Sequence, residues 1–381
     1  MRIAISGASG YIGQHLSSFL EGKGYDVIPL GRDLFKEDCF DELCRCVESC
    51  EVVINLAGAS INKRWTEAYK QELYDSRICV TRQLVHAINT RSVKLELFIS
   101  ASAVGYYPAF GEYDEYHDCR GMDFLARLCG AWEEEASACS SDVSLVITRF
   151  GVVLSEDGGA LKEMLRLQRF SRVSVVIGNG QQRFPWISLF DLCRSFGYII
   201  RNRQMRGVVN LVSPDLITQK QLAHTLARAD KIRRIIPLPE FFFRLKFGEG
   251  ASFVTKGQTV HPSKLQESGF IYIYPTIEKL MNITDHHTVP ELDVKRYMGR
   301  WYEIARYENH FERGMTDVTA TYTLLPDGKI RVENEGYKGG VHKKATGRAK
   351  QPDPKNNPGK LKVAFFLWFY ADYYILELDA D

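Results

Sequence analysis

Three glycines placed where a short apolar strand meets a helix constrain this chain more than any other feature. "RIAIS" at residues 2–6 is followed at once by "GASGYIG", so Gly7, Gly10 and Gly13 fall in a G-x-x-G-x-x-G spacing. Gly7 and Gly10 let the backbone turn tightly and approach an anion such as a pyrophosphate, and Gly13 lets the helix lie close against the strand. The amides from Ser9 through Tyr11 to Ile12 then open a helix, whose dipole favours negative charge. The triplet sits at the first strand–helix junction of a chain that goes on alternating strands and helices, and that setting gives it meaning.

The next strand, "DVIPL", ends in Gly31-Arg32-Asp33. An acid at that strand end holds the ribose 2′-hydroxyl of NAD, whereas an arginine pairs with the 2′-phosphate of NADP. Arg32 favours NADP, and Asp33 keeps NAD open. "EVVINLAG" ends in Asn55-Leu56-Ala57-Gly58, where small residues let a cofactor lie against the backbone. A helix near 66–90 and the strands "ELFISAS" and "LVITRFGVVL" continue the alternation. The pattern predicts a doubly wound parallel sheet with helices on both faces. A chain of 381 residues is expected to hold more than one folding unit.

In order, "GASGYIG", "VINLAGASI", "SASAVGYY", "DFLARLCGAWE", "TRFGVVL", "GNGQQRFPWI" and "GQTVHPSKLQESGF" resemble the epimerase-like NAD(P)-binding proteins. These are relatives of the extended short-chain dehydrogenase/reductases. The resemblance runs from Met1 to about Ile283. It implies a Rossmann-like domain over residues 1–236 and the small C-terminal domain of that family at 237–283. It also implies an oxidoreductase or epimerase acting on a sugar nucleotide or a similar small molecule.

Extended members use a Ser or Thr with the Tyr and Lys of a Y-x-x-x-K helix. The lysine lowers the tyrosine pKa, so that the phenolate serves as general base while hydride moves. Setting Glu133 against their downstream acid puts Leu125 in the tyrosine place and Cys129 in the lysine place. Counting back from Val104 puts Ala101 where the Ser or Thr belongs, with Ser100 and Ser102 on either side. Tyr106 and Tyr107 are the nearest phenols, and Arg77 stands where extended members place an Asn. The candidate catalytic residues are therefore Ser100, Ser102 and Tyr106. Arg77 joins the glycine loop, Arg32 and Leu56–Gly58 as a candidate cofactor contact. Two readings follow: an oxidoreductase or epimerase with this non-standard constellation, or a non-catalytic NADP(H)-binding sensor or scaffold.

After a polar stretch at 284–293, expected to be a linker, the periodicity changes from helical to alternating. "VTATYTL", "KIRVENE", "KLKVAFFLW" and "YYILELD" read as short strands separated by turns such as "LPDGK", the pattern of an antiparallel barrel. Gly299-x-Trp301 followed by Tyr302-Glu303 resembles the lipocalin signature, and the resemblance runs over residues 294–381. It implies a cup for an apolar ligand such as a fatty acid or lysophospholipid. Six strands are read where a lipocalin barrel has eight, so the barrel is expected to be incomplete, with open edges and weak retention of fatty acid. The lipid module would then be fused to the dinucleotide-binding part.

A net charge of +2 with no dense basic run argues against a nucleic-acid partner. The longest apolar run, "VAFFLWFYA", is too short for a membrane-spanning helix. The nine cysteines include no paired zinc-ligand spacing, so no metal site is expected, and free thiols suit the reducing cytoplasm. Asp191 is expected to cap the helix that follows "FPWIS".

Overall fold

The computed structural model describes the chain apart from residues 93–94, 282–288, 290, 304–313, 355–357, 366–370, 376–377 and 379–381. It divides into two compact units, Met1–Ile283 and Thr284–Asp381.

The first unit is built on six parallel strands: β1 (Arg2–Ser6), β2 (Asp26–Leu30), β3 (Val52–Asn55), β4 (Leu97–Ala103), β5 (Ser144–Phe150) and β6 (Gly207–Leu211). Their spatial order is β2-β1-β3-β4-β5-β6. The strand order reverses between β1 and β3, and a crevice opens beyond the carboxyl ends of the strands at such a point. The central strands are buried along most of their length because both faces are covered. Helices α1 (Tyr11–Glu21) and α6 (Leu189–Arg201) supply Leu16, Leu20, Leu192 and Phe196 to the core on one face. Helices α2 (Phe40–Glu48), α3 (Glu67–Thr90) and α4 (Phe124–Ser137) supply Leu43, Val47, Leu84, Ile88 and Ala136 on the other. The start of α3 follows from local chemistry: Thr66 is its N-cap, and the side chain accepts from the Tyr69 amide. Helices α5 (Gly159–Ser171) and α7 (Gln219–Ala229) belong to a smaller region with two short parallel strand pairs.

Residues 263–281 are tied to α6 by a buried carboxylate. Asp191 accepts from the Ile273 and Tyr274 amides at 2.9 and 2.7 Å and from Arg194 Nη1 at 2.9 Å. The expectation that Asp191 caps α6 is corrected: Ser188 is the N-cap and accepts from the Asp191 amide. Asp191 spends its own carboxylate on chain more than eighty residues away.

The second unit is a six-stranded antiparallel meander: β7 (Gly299–Tyr302), β8 (Met315–Leu324), β9 (Ile330–Lys338), β10 (Val341–Lys350), β11 (Lys360–Ala364) and β12 (Ala371–Tyr374). Among the described residues β7 and β12 each have one strand partner, so the sheet is open and the barrel incomplete. Alternation sends Tyr322, Ile330, Val332, Leu361 and Val363 to one face. The segment expected to be a linker does not behave as one at its C-terminal end. Val289 donates its amide to Ile375 O, and Val289 and Leu292 join that apolar face. Strand residues predicted at 366–368, 376–377 and 379 lie outside the described residues.

Candidate functional site

The glycine loop closes the carboxyl end of β1. Gly7 has φ +73°, and a Cβ there would meet the Leu56 carbonyl carbon and oxygen at 2.8 Å. A Cβ on Gly13 would stand 2.2 Å from Gly7 O and 2.7 Å from Ala8 Cα, so α1 lies against the loop itself. Gly10 is the N-cap of α1, where no side chain caps the helix and no acid occupies the first turn. The first amides of α1 thus keep their dipole without an internal counter-charge, a setting that suits an anion.

A buried polar network holds this loop against its neighbours. Ser6 Oγ donates to Asn55 Oδ1 at 2.6 Å, and the Ala57 amide donates to the same oxygen at 3.2 Å. Asn55 Nδ2 and Trp132 Nε1 both donate to Thr81 Oγ1, which donates to Arg77 O at 2.7 Å. Every member is satisfied, so the turn at Leu56–Gly58 is fixed relative to β1, α3 and α4.

Arg77 clamps that turn. Its guanidinium donates to Ala59 O at 3.0 Å and Leu73 O at 3.1 Å and lies over the Trp132 ring. A Cβ on Gly58 would approach its guanidinium carbon to 3.0 Å. Burial lowers its pKa from the ordinary arginine value. Arg32 is exposed at the end of β2, and Asp33 beside it is engaged by Lys36 at 2.5 Å.

A second cluster lies at the ends of β4 and β5. Arg149 grips Glu133 in a two-point bridge, Nε to Oε1 at 2.8 Å and Nη2 to Oε2 at 2.7 Å, with both side chains buried. Ser102 Oγ donates to Glu133 Oε1 at 2.6 Å. The Tyr106 ring lies 3.5 Å from the Arg149 guanidinium carbon, and its hydroxyl donates to Asp118 at 3.2 Å. Burial raises the Tyr106 pKa and Arg149 opposes it, so the phenol is a proton donor at neutral pH. Tyr106, Glu133 and Arg149 line a groove of about 570 Å³ along the flank of α4.

The three candidate catalytic residues therefore meet unequal fates. Ser102 and Tyr106 come together through Glu133 and Arg149. Ser100 is 1% exposed, and its hydroxyl has no hydrogen-bond partner among the described residues. Of the three, Tyr106 alone lines the groove. Tyr107, the other phenol, is buried with its hydroxyl on Asn210 Oδ1 and Asp114 O, a structural role. The pairing of Glu133 with Arg149 was missed: Glu133 opens a run of three glutamates, so nothing local marks it as the buried one.

Leu125 and Cys129, expected from the sequence to stand in the places of the family's tyrosine and lysine, both lie on α4. Burial pushes the Cys129 thiol up to about 12, which keeps it protonated and unreactive. Alkylation of the folded protein should therefore modify exposed Cys79 and Cys119 and spare Cys129, and Cys129→Ala should leave cofactor affinity unchanged. Mass spectrometry showing Cys129 alkylated as fast as Cys79 would refute this.

Comparison with known proteins places these elements. The sequence profile of the NAD dependent epimerase/dehydratase family matches residues 3–211, a domain of unknown function matches 238–282, and a lipocalin-like domain matches 292–381. A chloroplastic epimerase family protein of Arabidopsis thaliana is 33% identical over 297 residues, covering 73% of this chain and 85% of its own. The epimerase family protein YfhF of Bacillus subtilis is 33% identical over 307 residues, covering 76% of this chain and all of its own. The human epimerase family protein SDR39U1, solved with NADPH, superposes with a TM-score of 0.68 at 32% identity, covering 74% of this chain and 99% of its own. With a glycine loop of this form, a sheet that reverses at β1 and a family match over more than half its length, the chain belongs to the NAD dependent epimerase/dehydratase family and carries a lipocalin-like domain after it.

Proposed function

We propose that the first unit binds NADP(H) and uses it as an oxidoreductase or epimerase on a sugar nucleotide or similar small hydroxyl or carbonyl compound. The observation that carries the cofactor reading is the uncapped N-terminus of α1, packed so tightly at Gly7 and Gly13 that only glycine fits. The pyrophosphate would lie on the amides near Ser9–Ile12, and the adenosine half between Arg32 and the turn at Leu56–Gly58. The human relative solved with NADPH supports the same cofactor. When bound, the cofactor supplies or accepts hydride. Tyr106 exchanges the proton with the substrate oxygen, Arg149 steadies the charge that appears on the phenol, and Glu133 with Ser102 holds Arg149 in place.

Selectivity for NADP over NAD rests on Arg32, which has no acidic partner among the described residues, while Asp33 is occupied by Lys36. Arg32→Ala should cost roughly 1–3 kcal/mol of NADP affinity, the range for a charge-assisted hydrogen bond, and leave NAD affinity nearly unchanged. Equal NAD and NADP affinities in the unaltered protein, by isothermal titration, would overturn this assignment. Turnover is tested by following NADPH absorbance with nucleotide sugars, in the unaltered protein and in Tyr106→Phe.

The second reading, cofactor binding without turnover, is favoured by Leu125 and Cys129 in the places of the usual tyrosine and lysine. NADPH bound tightly but never oxidised by any carbonyl tested would decide for it. For the second unit the ligand class is a small apolar molecule such as a fatty acid or lysophospholipid, supported by the lipocalin-like match. Part of the sheet face that would line a cup is already covered by Val289, Leu292 and Tyr297. A cytoplasmic setting is part of this proposal, supported by nine cysteines that are all free thiols.

A further inference from the structure

One short helix of the first unit carries apolar side chains on two opposite faces. It spans Glu240–Phe247 and follows directly on the strand Arg234–Leu238. Phe247 turns inward: it is buried and its ring meets that of Phe253. Phe241 and Phe242, four and three residues before Leu245, both neighbour it, and the three turn outward at 54%, 48% and 59% exposure. The rings of Phe241 and Phe242 meet at 4.5 Å, so they form one apolar knob rather than two isolated residues. Ile236, on the strand just before, is 45% exposed. Single exposed apolar residues are ordinary on a protein surface, but a contiguous group of this kind marks a contact site.

The charge of the segment that carries the knob points to the partner. Residues 231–247 hold five cations, Lys231, Arg233, Arg234, Arg244 and Lys246, against one acid, Glu240, in a chain whose net charge is only +2. All five cations are exposed. Glu240 stands 4.0 Å from Arg244, and Lys231, Arg233 and Arg234 have no acidic partner among the described residues. Lys246 lies over the Phe247 ring at 5.0 Å, its stem along apolar surface and its charge outward. Aromatic and branched apolar side chains flanked by unpaired cations match the boundary of an anionic bilayer, where rings enter the acyl margin and ammonium and guanidinium groups meet phosphate headgroups.

We propose that the outward face of residues 234–247 docks this protein on the surface of an anionic lipid bilayer. The anchor is peripheral and reversible, since the helix lies in the interface and three apolar side chains give little depth. The proposal is independent of the cofactor reading and of the lipocalin-like domain.

Sedimentation of the full chain with vesicles tests it, comparing pure phosphatidylcholine with phosphatidylcholine containing phosphatidylglycerol. Binding is expected only to the anionic vesicles, and raising salt should weaken it. The Phe241→Asp/Phe242→Asp variant should lose at least about tenfold in partitioning, as charge replaces the buried knob. Arg233→Glu/Arg234→Glu should lose binding with the knob intact, which separates headgroup attraction from stickiness. Each variant is checked for an unchanged thermal transition and unchanged NADPH affinity, so that misfolding is not mistaken for lost docking. Failure to sediment with anionic vesicles, or equal binding to neutral ones, overturns the proposal. So does a concentration-dependent dimer that Phe241→Asp/Phe242→Asp dissolves, because the face would then belong to a second copy of the chain.

Discussion

Valine in place of Gly13 is expected to abolish NADPH binding. The obstruction is backbone, not side chain: a Cβ there would stand 2.2 Å from Gly7 O, 2.7 Å from Ala8 Cα and 2.9 Å from the Ala8 carbonyl carbon. None of these atoms can swing aside as the end of a side chain would. Helix α1 must therefore retreat from the loop, and the amides at Ser9–Ile12 leave the positions in which they converge on a phosphate. A displacement near 1 Å is enough to cost about a hundredfold in geometry-dependent interactions, and overpacking adds roughly 1–3 kcal/mol of lost stability. NADPH affinity should fall by at least about a hundredfold, and NAD affinity with it, because the pyrophosphate is common to both. Arg32→Ala, by contrast, should discriminate between the two cofactors. Gly10→Ala is a graded control, since its Cβ would meet Gly7 O at 3.2 Å, a contact that a small shift relieves. Isothermal titration giving Gly13→Val an NADPH affinity within severalfold of the unaltered protein would remove the glycine loop as the cofactor site.

The parts of this molecule that could be read from its residues are those whose causes are local. Gly7, Gly10 and Gly13 declare a turn, a close approach and a helix start within seven residues. Thr66 before α3 and the alternation along β8 act over similar distances. Where the cause is distant, sequence reasoning assigned the wrong job or none. Asp191 was expected to cap the helix, yet Ser188 does so and the Asp191 carboxylate is committed to the Ile273 and Tyr274 amides. Val289 and Leu292 fell in a stretch expected to be a linker, and only the sheet shows what they pack against. The site divides the same way. The glycine loop was legible, whereas the joining of Ser102, Glu133, Arg149 and Tyr106 needs β4, β5 and α4 to be laid side by side.

That last cluster carries the second large expectation, and it concerns stability as much as chemistry. Glu133→Ala should destabilise the first unit by about 3–5 kcal/mol, the range for breaking a buried ion pair from one side. The magnitude comes from what is left behind. Arg149 is 4% exposed and would keep its charge without the carboxylate that accepts two of its N–H groups, and the Ser102 hydroxyl would lose its acceptor. For a unit of this size each kcal/mol is worth roughly 2–4 °C, so the melting temperature should drop by about 10 °C. Glu133→Gln should fall between, because an amide oxygen still accepts one donor while its nitrogen confronts the guanidinium. The double change Glu133→Met/Arg149→Met should be markedly milder than Glu133→Ala, since it removes both charges and refills the volume with apolar atoms. If the pair also serves chemistry, the double variant separates the two roles: it recovers the melting temperature but not turnover, because the guanidinium under the Tyr106 ring is gone. A Glu133→Ala protein melting within about 2 °C of the unaltered chain would mean that solvent or another group satisfies Arg149, and that the groove beside α4 is wetter at its base than these contacts require.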